Sequence, residues 1–135
     1  MNLTPELHVL ALVAIATLLM WIPYMAARML TRGIVRTFGD PADPRFPPDP
    51  AWAERARRAH ANAVENLVVF APLVLILSLV GASTPTTLFA SKLYLGARLV
   101  HYVVYAAGIP VVRTLAFVVG VGATLVIAAT VLGHG

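Results

Sequence analysis

Four polar and aromatic side chains recur along one apolar stretch of the chain at helical spacing. They stand at positions i, i+4, i+7 and i+11 and are Tyr94, Arg98, His101 and Tyr105. At about 100° per residue these four side chains share one face of a helix. Because a charge at membrane depth costs at least ~2.5–3.5 kcal/mol, we expect Arg98 to face the protein interior and to be paired there. Taken alone, Arg98 and its partner could form a structural ion pair that orders the helices.

The preceding apolar stretch carries a second polar face, formed by Arg58, Asn62 and Glu65 at i, i+4 and i+7. Glu65 is the only acid expected at membrane depth, so Arg98 is its natural partner. A solvated edge explains the neighbouring Arg55 and Arg57, but it does not explain an acid further in.

Further arginines stand at the ends of the other two apolar stretches. Arg28 and Arg32 are one turn apart at the end of the first, and Arg113 begins the last, beside Thr114. Together these residues predict an arginine-lined cavity near one membrane interface, which suits a small ligand with several carboxylates. The chain has no cysteine, so any thiol chemistry needs a thiol from a ligand. We find neither metal-ligand spacing nor a glycine-rich phosphate loop.

The elements that position these residues are four apolar stretches long enough to cross a bilayer as helices. They cover about residues 7–30, 63–82, 86–107 and 111–132. The chain is 59% hydrophobic and 12% charged, against roughly 45–50% and about 25% in soluble domains. We therefore predict an all-α fold: one membrane domain over residues 1–135, built as a four-helix bundle. Pro23 should kink the first helix.

The connections and charges predict how the helices are arranged. Residues 39–52 form a proline-rich loop, after which Asp49 could cap a helix with Pro50 at its first position. The loop and most arginines fall on one side, which the positive-inside rule makes cytoplasmic, with both termini outside. This placement fits membrane orientation better than nucleic-acid binding, despite a formal charge of +4.

Three segments resemble the MAPEG family, the membrane-associated proteins in eicosanoid and glutathione metabolism. ERARRAHANAVEN (Glu54–Asn66) is similar to the family signature E-R-x-x-R-A-H-x-N-x-x-E at the start of the second helix. GARLVHYVVY (Gly96–Tyr105) resembles the third-helix motif, and RTFGDPAD (Arg36–Asp43) resembles the loop after the first helix. The resemblance extends over nearly the whole chain.

The resemblance implies a homotrimer of four-helix subunits that binds glutathione between neighbouring subunits, near the cytoplasmic side. By position, the implied glutathione contacts are Arg32, Arg58, Asn62, Glu65, Arg98, His101 and Tyr105. Arg113 matches the arginine proposed to stabilise the glutathione thiolate in several members. The short chain and its composition suggest a bacterial member, similar to the microsomal glutathione transferases, in the inner membrane.

Three functional interpretations remain open at this point. The first is a glutathione-dependent transferase or peroxidase for lipophilic electrophiles or hydroperoxides, with glutathione as co-substrate and Arg113 activating its thiol. The second is a non-catalytic membrane protein of the same fold that binds a lipid or a partner protein. A small transporter subunit is the third, but four spans without repeats disfavour it.

Overall fold

The structure, a computed structural model, describes residues 2–135, and every regular element in that range is a helix. The helices are α1 (Pro5–Leu19), α2 (Trp21–Arg32), α3 (Ile34–Thr37), α4 (Ala51–Leu79), α5 (Pro85–Ala107) and α6 (Pro110–Leu132). The predicted all-α class is confirmed. The order of helices follows the four predicted stretches, with the short α3 and the proline-rich segment between the first two.

Three helical stretches are long and apolar enough to cross a membrane: Pro5–Arg32, Ala51–Leu79 and Pro110–Leu132. α5 has 23 residues but is not among them, because Lys92, Arg98 and His101 lower its mean hydropathy. The first stretch is interrupted at Met20, between α1 and α2. Pro23 explains the break, since its ring removes an N–H group and clashes with the carbonyl four residues earlier.

α4 begins one residue later than predicted, and its cap differs. Pro50 occupies the N-cap position and Ala51 is the first helical residue. The expectation that Asp49 caps this helix is wrong, because the Asp49 carboxylate instead accepts hydrogen bonds from Arg28.

The centre of the bundle is α5, which packs against α1, α4 and α6. The ring of Tyr94 on α5 stacks on Phe70 of α4 with centroids 3.7 Å apart. α4 approaches closely because its inner face carries small residues, the buried Ala53, Ala56, Ala59 and Ala63. At the opposite end, the fully buried Glu6 accepts hydrogen bonds from Ser83 and Thr87, which join α1 to the start of α5.

The turn between α5 and α6 is fixed by Gly108 and Arg55. Gly108 adopts the left-handed conformation with φ 80° and closes the C-terminus of α5. Arg55 reaches across from α4, and its Nε donates to the carbonyl of Ala106 at 2.9 Å. This bond anchors the turn to α4 and sets where α6 begins. Arg55 is therefore more than the solvated edge charge that we expected.

Gly108→Ala is expected to lower stability by about 1–2 kcal/mol, because an L side chain is strained at positive φ. The added Cβ would lie 3.4 Å from the Arg55 guanidinium, an ordinary contact, so the loss comes from the backbone conformation. Thermal unfolding of the detergent-purified protein measures the loss. Gly122→Ala is the matched control, since a Cβ there meets no atom within 4 Å. Equal stability of the two variants would contradict this account of the turn.

Candidate functional site

A polar cavity of about 250 Å³ opens between α4, α5 and α6. Its lining residues are Asn62, His101, Tyr105, Arg113, Thr114 and Phe117. These side chains come from three helices, so the cavity depends on the turn anchored by Arg55. Four of its lining residues are predicted site residues, Asn62, His101, Tyr105 and Arg113, and a fifth, Thr114, is the sequence neighbour of Arg113. A further predicted site residue, Arg98, lies behind them.

Asn62 is held in one orientation by two donors. Arg98 Nη2 donates to Asn62 Oδ1 at 2.6 Å, and Asn66 Nδ2 approaches the same oxygen at 3.3 Å. Because both donors bond to the amide oxygen, the amide nitrogen of Asn62 remains available to donate a hydrogen bond to a ligand.

Arg98 lies behind the cavity and also contacts His101. Its Nη2 is 3.5 Å from His101 Nδ1, a long contact. A guanidinium can only donate, so this contact favours an unprotonated Nδ1 and places the imidazole proton on Nε2. In that tautomer His101 offers a hydrogen-bond donor and cannot act as a base through Nε2.

Arg113 brings the second positive charge to the cavity. Its guanidinium carbon is 4.6 Å from the centroid of the Tyr105 ring, a cation–π arrangement that steadies it. Among residues 2–135, neither Arg98 nor Arg113 has a carboxylate within ion-pair distance. With Arg113 in its lining, Arg98 behind it and no acid among its lining residues, the cavity is positively charged.

The structure places the other three predicted site residues elsewhere in the chain. Arg32 is buried and donates to the carbonyls of Asp40 and Pro41. Arg58 is exposed, and its Nε is 3.8 Å from the Glu54 carboxylate on the preceding turn. Glu65 is exposed on the outer face of α4.

The predicted pairing of Glu65 with Arg98 does not form within the chain, where Arg98 donates to Asn62 instead. The reason is the rotation of α4. Ala59, Ala63 and Phe70 are its buried positions, and at about 100° per residue Glu65 lies nearly opposite them. The face that carries Arg58 and Glu65 therefore points away from the core of the chain.

Comparison with known proteins decides the family. The sequence profile of the MAPEG family matches residues 7–133, nearly the whole chain. The chain belongs to the MAPEG family. Together with its three apolar helices, this membership makes it an integral membrane protein.

Curated relatives of this MAPEG chain include two mammalian proteins. Microsomal glutathione S-transferase 1 of Rattus norvegicus is 44% identical over 73 residues, which is 53% of this chain and 47% of the relative. The Homo sapiens protein of the same name is 41% identical over the same length and shares. The match thus spans about half the length of these relatives. No solved structure gives a significant match.

A buried ion-pair network anchors the proline-rich loop of this MAPEG chain. Arg28 Nη2 donates to Asp49 Oδ2 at 2.6 Å, and the two side chains are 7% and 8% exposed. Arg57 reaches the same oxygen at 3.2 Å, and its guanidinium lies over the ring of Tyr24. The Arg28 hydrogen bond holds the pKa of Asp49 below its ordinary value of 3.8. Arg57, like Arg55, is thus a structural contact rather than a free edge charge.

Asp49→Asn is expected to lower stability at neutral pH by about 3–5 kcal/mol, since it leaves the buried Arg28 without its counterion. Because the folded-state pKa of Asp49 is depressed, its contribution is complete above pH 3.8 and is lost as pH falls below that value. The difference in unfolding between wild type and Asp49→Asn should therefore shrink on acidification below pH 3.8 in detergent. Arg57→Gln, which alters a one-third exposed arginine, should cost only about 1 kcal/mol or less. A pH-independent difference would contradict the ion-pair account.

Three contacts of the site region were not predicted. Tyr24 on α2 hydrogen-bonds His60 of α4 at 2.7 Å, which gives His60 a structural partner. Phe117 packs beside His101, and Asn66 supports Asn62. Helical spacing in the sequence signals the contacts of Phe117 and Asn66, because Phe117 follows Arg113 by four residues and Asn66 follows Asn62 by four residues. The Tyr24–His60 contact joins distant segments and has no local signal.

Proposed function

We propose that this MAPEG chain is a glutathione-dependent transferase or peroxidase that acts on lipophilic electrophiles or hydroperoxides. The observation that carries the proposal is a polar cavity lined by Arg113 and by no acid, with the buried Arg98 behind it, in a membrane chain that has no cysteine. The similarity to proteins named microsomal glutathione S-transferase 1 supports glutathione as the ligand.

Glutathione offers two carboxylates, an ammonium and a thiol, and the cavity has donors for the anionic groups. The amide nitrogen of Asn62 and the His101 imidazole supply hydrogen bonds to carboxylate or carbonyl oxygens, and Arg98 behind them orients both groups and adds positive charge. The cavity volume of about 250 Å³ lies below the roughly 300–1,000 Å³ of typical ligand pockets. We therefore propose that a second subunit completes the site, as in a homotrimer.

A second cavity of about 320 Å³ adjoins the first. It shares Arg113 and Thr114 with the polar cavity and is otherwise lined by Pro110, Val111 and Leu115. Arg113 thus stands between a polar and an apolar compartment. A thiol held beside Arg113 would meet an apolar substrate entering from the lipid.

The chemistry proposed at Arg113 is stabilisation of the thiolate. A free thiol titrates near ~8.5, and lowering its pKa by about two units needs ~2.7 kcal/mol of preferential thiolate stabilisation. The thiol proton leaves to solvent, and the sulfur lone pair attacks the electrophilic carbon while the leaving group departs with its bonding pair. With a hydroperoxide, the thiolate attacks the outer oxygen to give an alcohol and a sulfenic acid, which a second glutathione converts to the disulfide and water.

The test is turnover by the detergent-purified protein. Glutathione conjugation of an aryl halide and reduction of a lipid hydroperoxide should both exceed the rates without protein. Tight glutathione binding without turnover of any electrophile or hydroperoxide would instead favour a non-catalytic member of the family.

Glu65→Gln is expected to weaken the oligomer or its glutathione affinity. The proposal rests on the exposed position of Glu65 among Val64, Val68 and Val69, where lipid cannot solvate a carboxylate. A neighbouring subunit would place a cation or the glutathione ammonium against it. Mass measurement in detergent and a glutathione titration report the two effects, and a change in neither would contradict the role.

We also propose that the arginine-rich loop is cytoplasmic, that both termini are outside, and that the membrane is a bacterial inner membrane.

A further inference from the structure

A long apolar groove runs between α5 and α6, away from the polar cavity. Its volume is about 370 Å³, and its lining includes Lys92, Gly96 and Val100 on α5 and Leu115 and Val119 on α6. On α6, Phe117 of the polar cavity is two residues from both Leu115 and Val119. At about 100° per residue, the groove and the polar cavity therefore lie on opposite sides of α6.

One end of the groove carries the only lysine of the chain. Lys92 is exposed, seven residues into α5, or about 10 Å from the start of the helix at ~1.5 Å per residue. Among residues 2–135 no carboxylate lies within ion-pair distance of it. An ammonium at this depth needs an anion or must extend its stem toward the interface.

The floor of the groove is open because of Gly96, one turn beyond Lys92. A Cβ at Gly96 would meet no atom within 4 Å, although glycine within a helix is unfavourable relative to alanine. From Lys92 to Val100 the groove extends about 12 Å at ~1.5 Å per residue. The result is a channel for one extended apolar chain with a cation at its end.

We propose that this groove binds an anionic phospholipid, with its phosphate paired to Lys92 and one acyl chain lying over Gly96. The exposed Leu93, Val100 and Leu115 show that the groove is open along its length. A two-chain lipid can therefore place one chain in the groove and leave the other in the bilayer. Lysine binds phosphate as a point charge, which matches a single headgroup. The groove shares no lining residue with the polar cavity, although Leu115 also lines the neighbouring apolar cavity, and lipid binding in the groove does not depend on the proposed glutathione site.

The test is titration of detergent-purified protein with phosphatidylglycerol or phosphatidylcholine of the same acyl chains, read by native mass spectrometry. Wild type should prefer phosphatidylglycerol. Lys92→Gln should weaken phosphatidylglycerol binding by about fivefold, the effect of one basic side chain near an anionic surface. It should weaken phosphatidylcholine binding by less, because the choline cation offsets the phosphate charge. Gly96→Leu should weaken binding of both lipids, because its side chain would project into the groove, where an added Cβ meets no protein atom within 4 Å.

Gly122→Leu is the matched control, a helical glycine with open space outside the groove, and should bind both lipids as wild type does. Headgroup preference that survives Lys92→Gln would overturn the proposal, since it would then come from the arginine-rich side. A Gly96→Leu variant with normal lipid binding but an altered oligomer mass would also overturn it, because a second copy of the chain would then cover the groove.

Discussion

Arg113→Ala is expected to lower kcat/KM for glutathione conjugation about 100-fold or more, the usual cost of removing one donor that stabilises developing or resident anionic charge. The guanidinium lies between the polar and apolar cavities, and the neighbouring Tyr105 ring holds it there. Loss of the cation leaves the glutathione thiol mostly protonated at neutral pH. Steady-state kinetics with an aryl halide at saturating glutathione measures the effect.

Two further variants show what Arg113 contributes: one keeps its charge but changes its geometry, and the other removes an arginine far from the site. Arg113→Lys keeps the charge but loses the planar group over Tyr105, so it should retain more activity than Arg113→Ala. Arg45→Ala removes an arginine that is exposed on the loop and should behave as wild type. If Arg113→Ala turns over normally when glutathione is saturating, Arg113 does not stabilise the thiolate.

Arg98→Met is expected to weaken glutathione binding about 10–150-fold, the range for a lost hydrogen bond between charged groups of about 1.5–3 kcal/mol. Arg98 is 3% exposed, its Nε has no partner, and it also orients Asn62 and His101. The change should therefore raise KM for glutathione and the dissociation constant measured by calorimetry.

The thermal stability of the same variant shows whether Arg98 serves ligand binding or only orders the bundle, because the two roles predict opposite changes. Without a carboxylate partner, a buried guanidinium is costly in the ligand-free protein, so Arg98→Met should leave thermal stability unchanged or raised. Asp49→Asn, which breaks a true buried ion pair, should lose stability in the same assay. A large loss of stability in Arg98→Met with unchanged glutathione affinity would show that Arg98 only orders the bundle.

The inward face of α5 was predictable because helical spacing places its polar residues on one side and lipid excludes them from the other. Tyr94, Arg98 and His101 are all buried as expected. The rotation of α4 was not predictable in the same way. Its core face is made of Ala59, Ala63 and Phe70, and small residues give a weak apolar signal, whereas Arg58 and Glu65 drew attention to the opposite face.

The partners of the loop arginines could not be read from spacing. Asp49 is 21 residues from Arg28, and Arg55 is 51 residues from Ala106. These contacts depend on how the helices pack, so the sequence offered only local alternatives, a helix cap for Asp49 and a solvated edge for Arg55. In the structure, Asp49 anchors the proline-rich loop and Arg55 anchors the turn between α5 and α6.

The most direct measurement is the ultraviolet absorbance of the glutathione thiolate, titrated against pH with the detergent-purified wild-type protein. The account predicts that bound glutathione ionises about two pH units below the ~8.5 of a free thiol, and that Arg113→Ala removes this shift while glutathione remains bound. Bound glutathione that titrates like the free thiol in wild type would contradict the account.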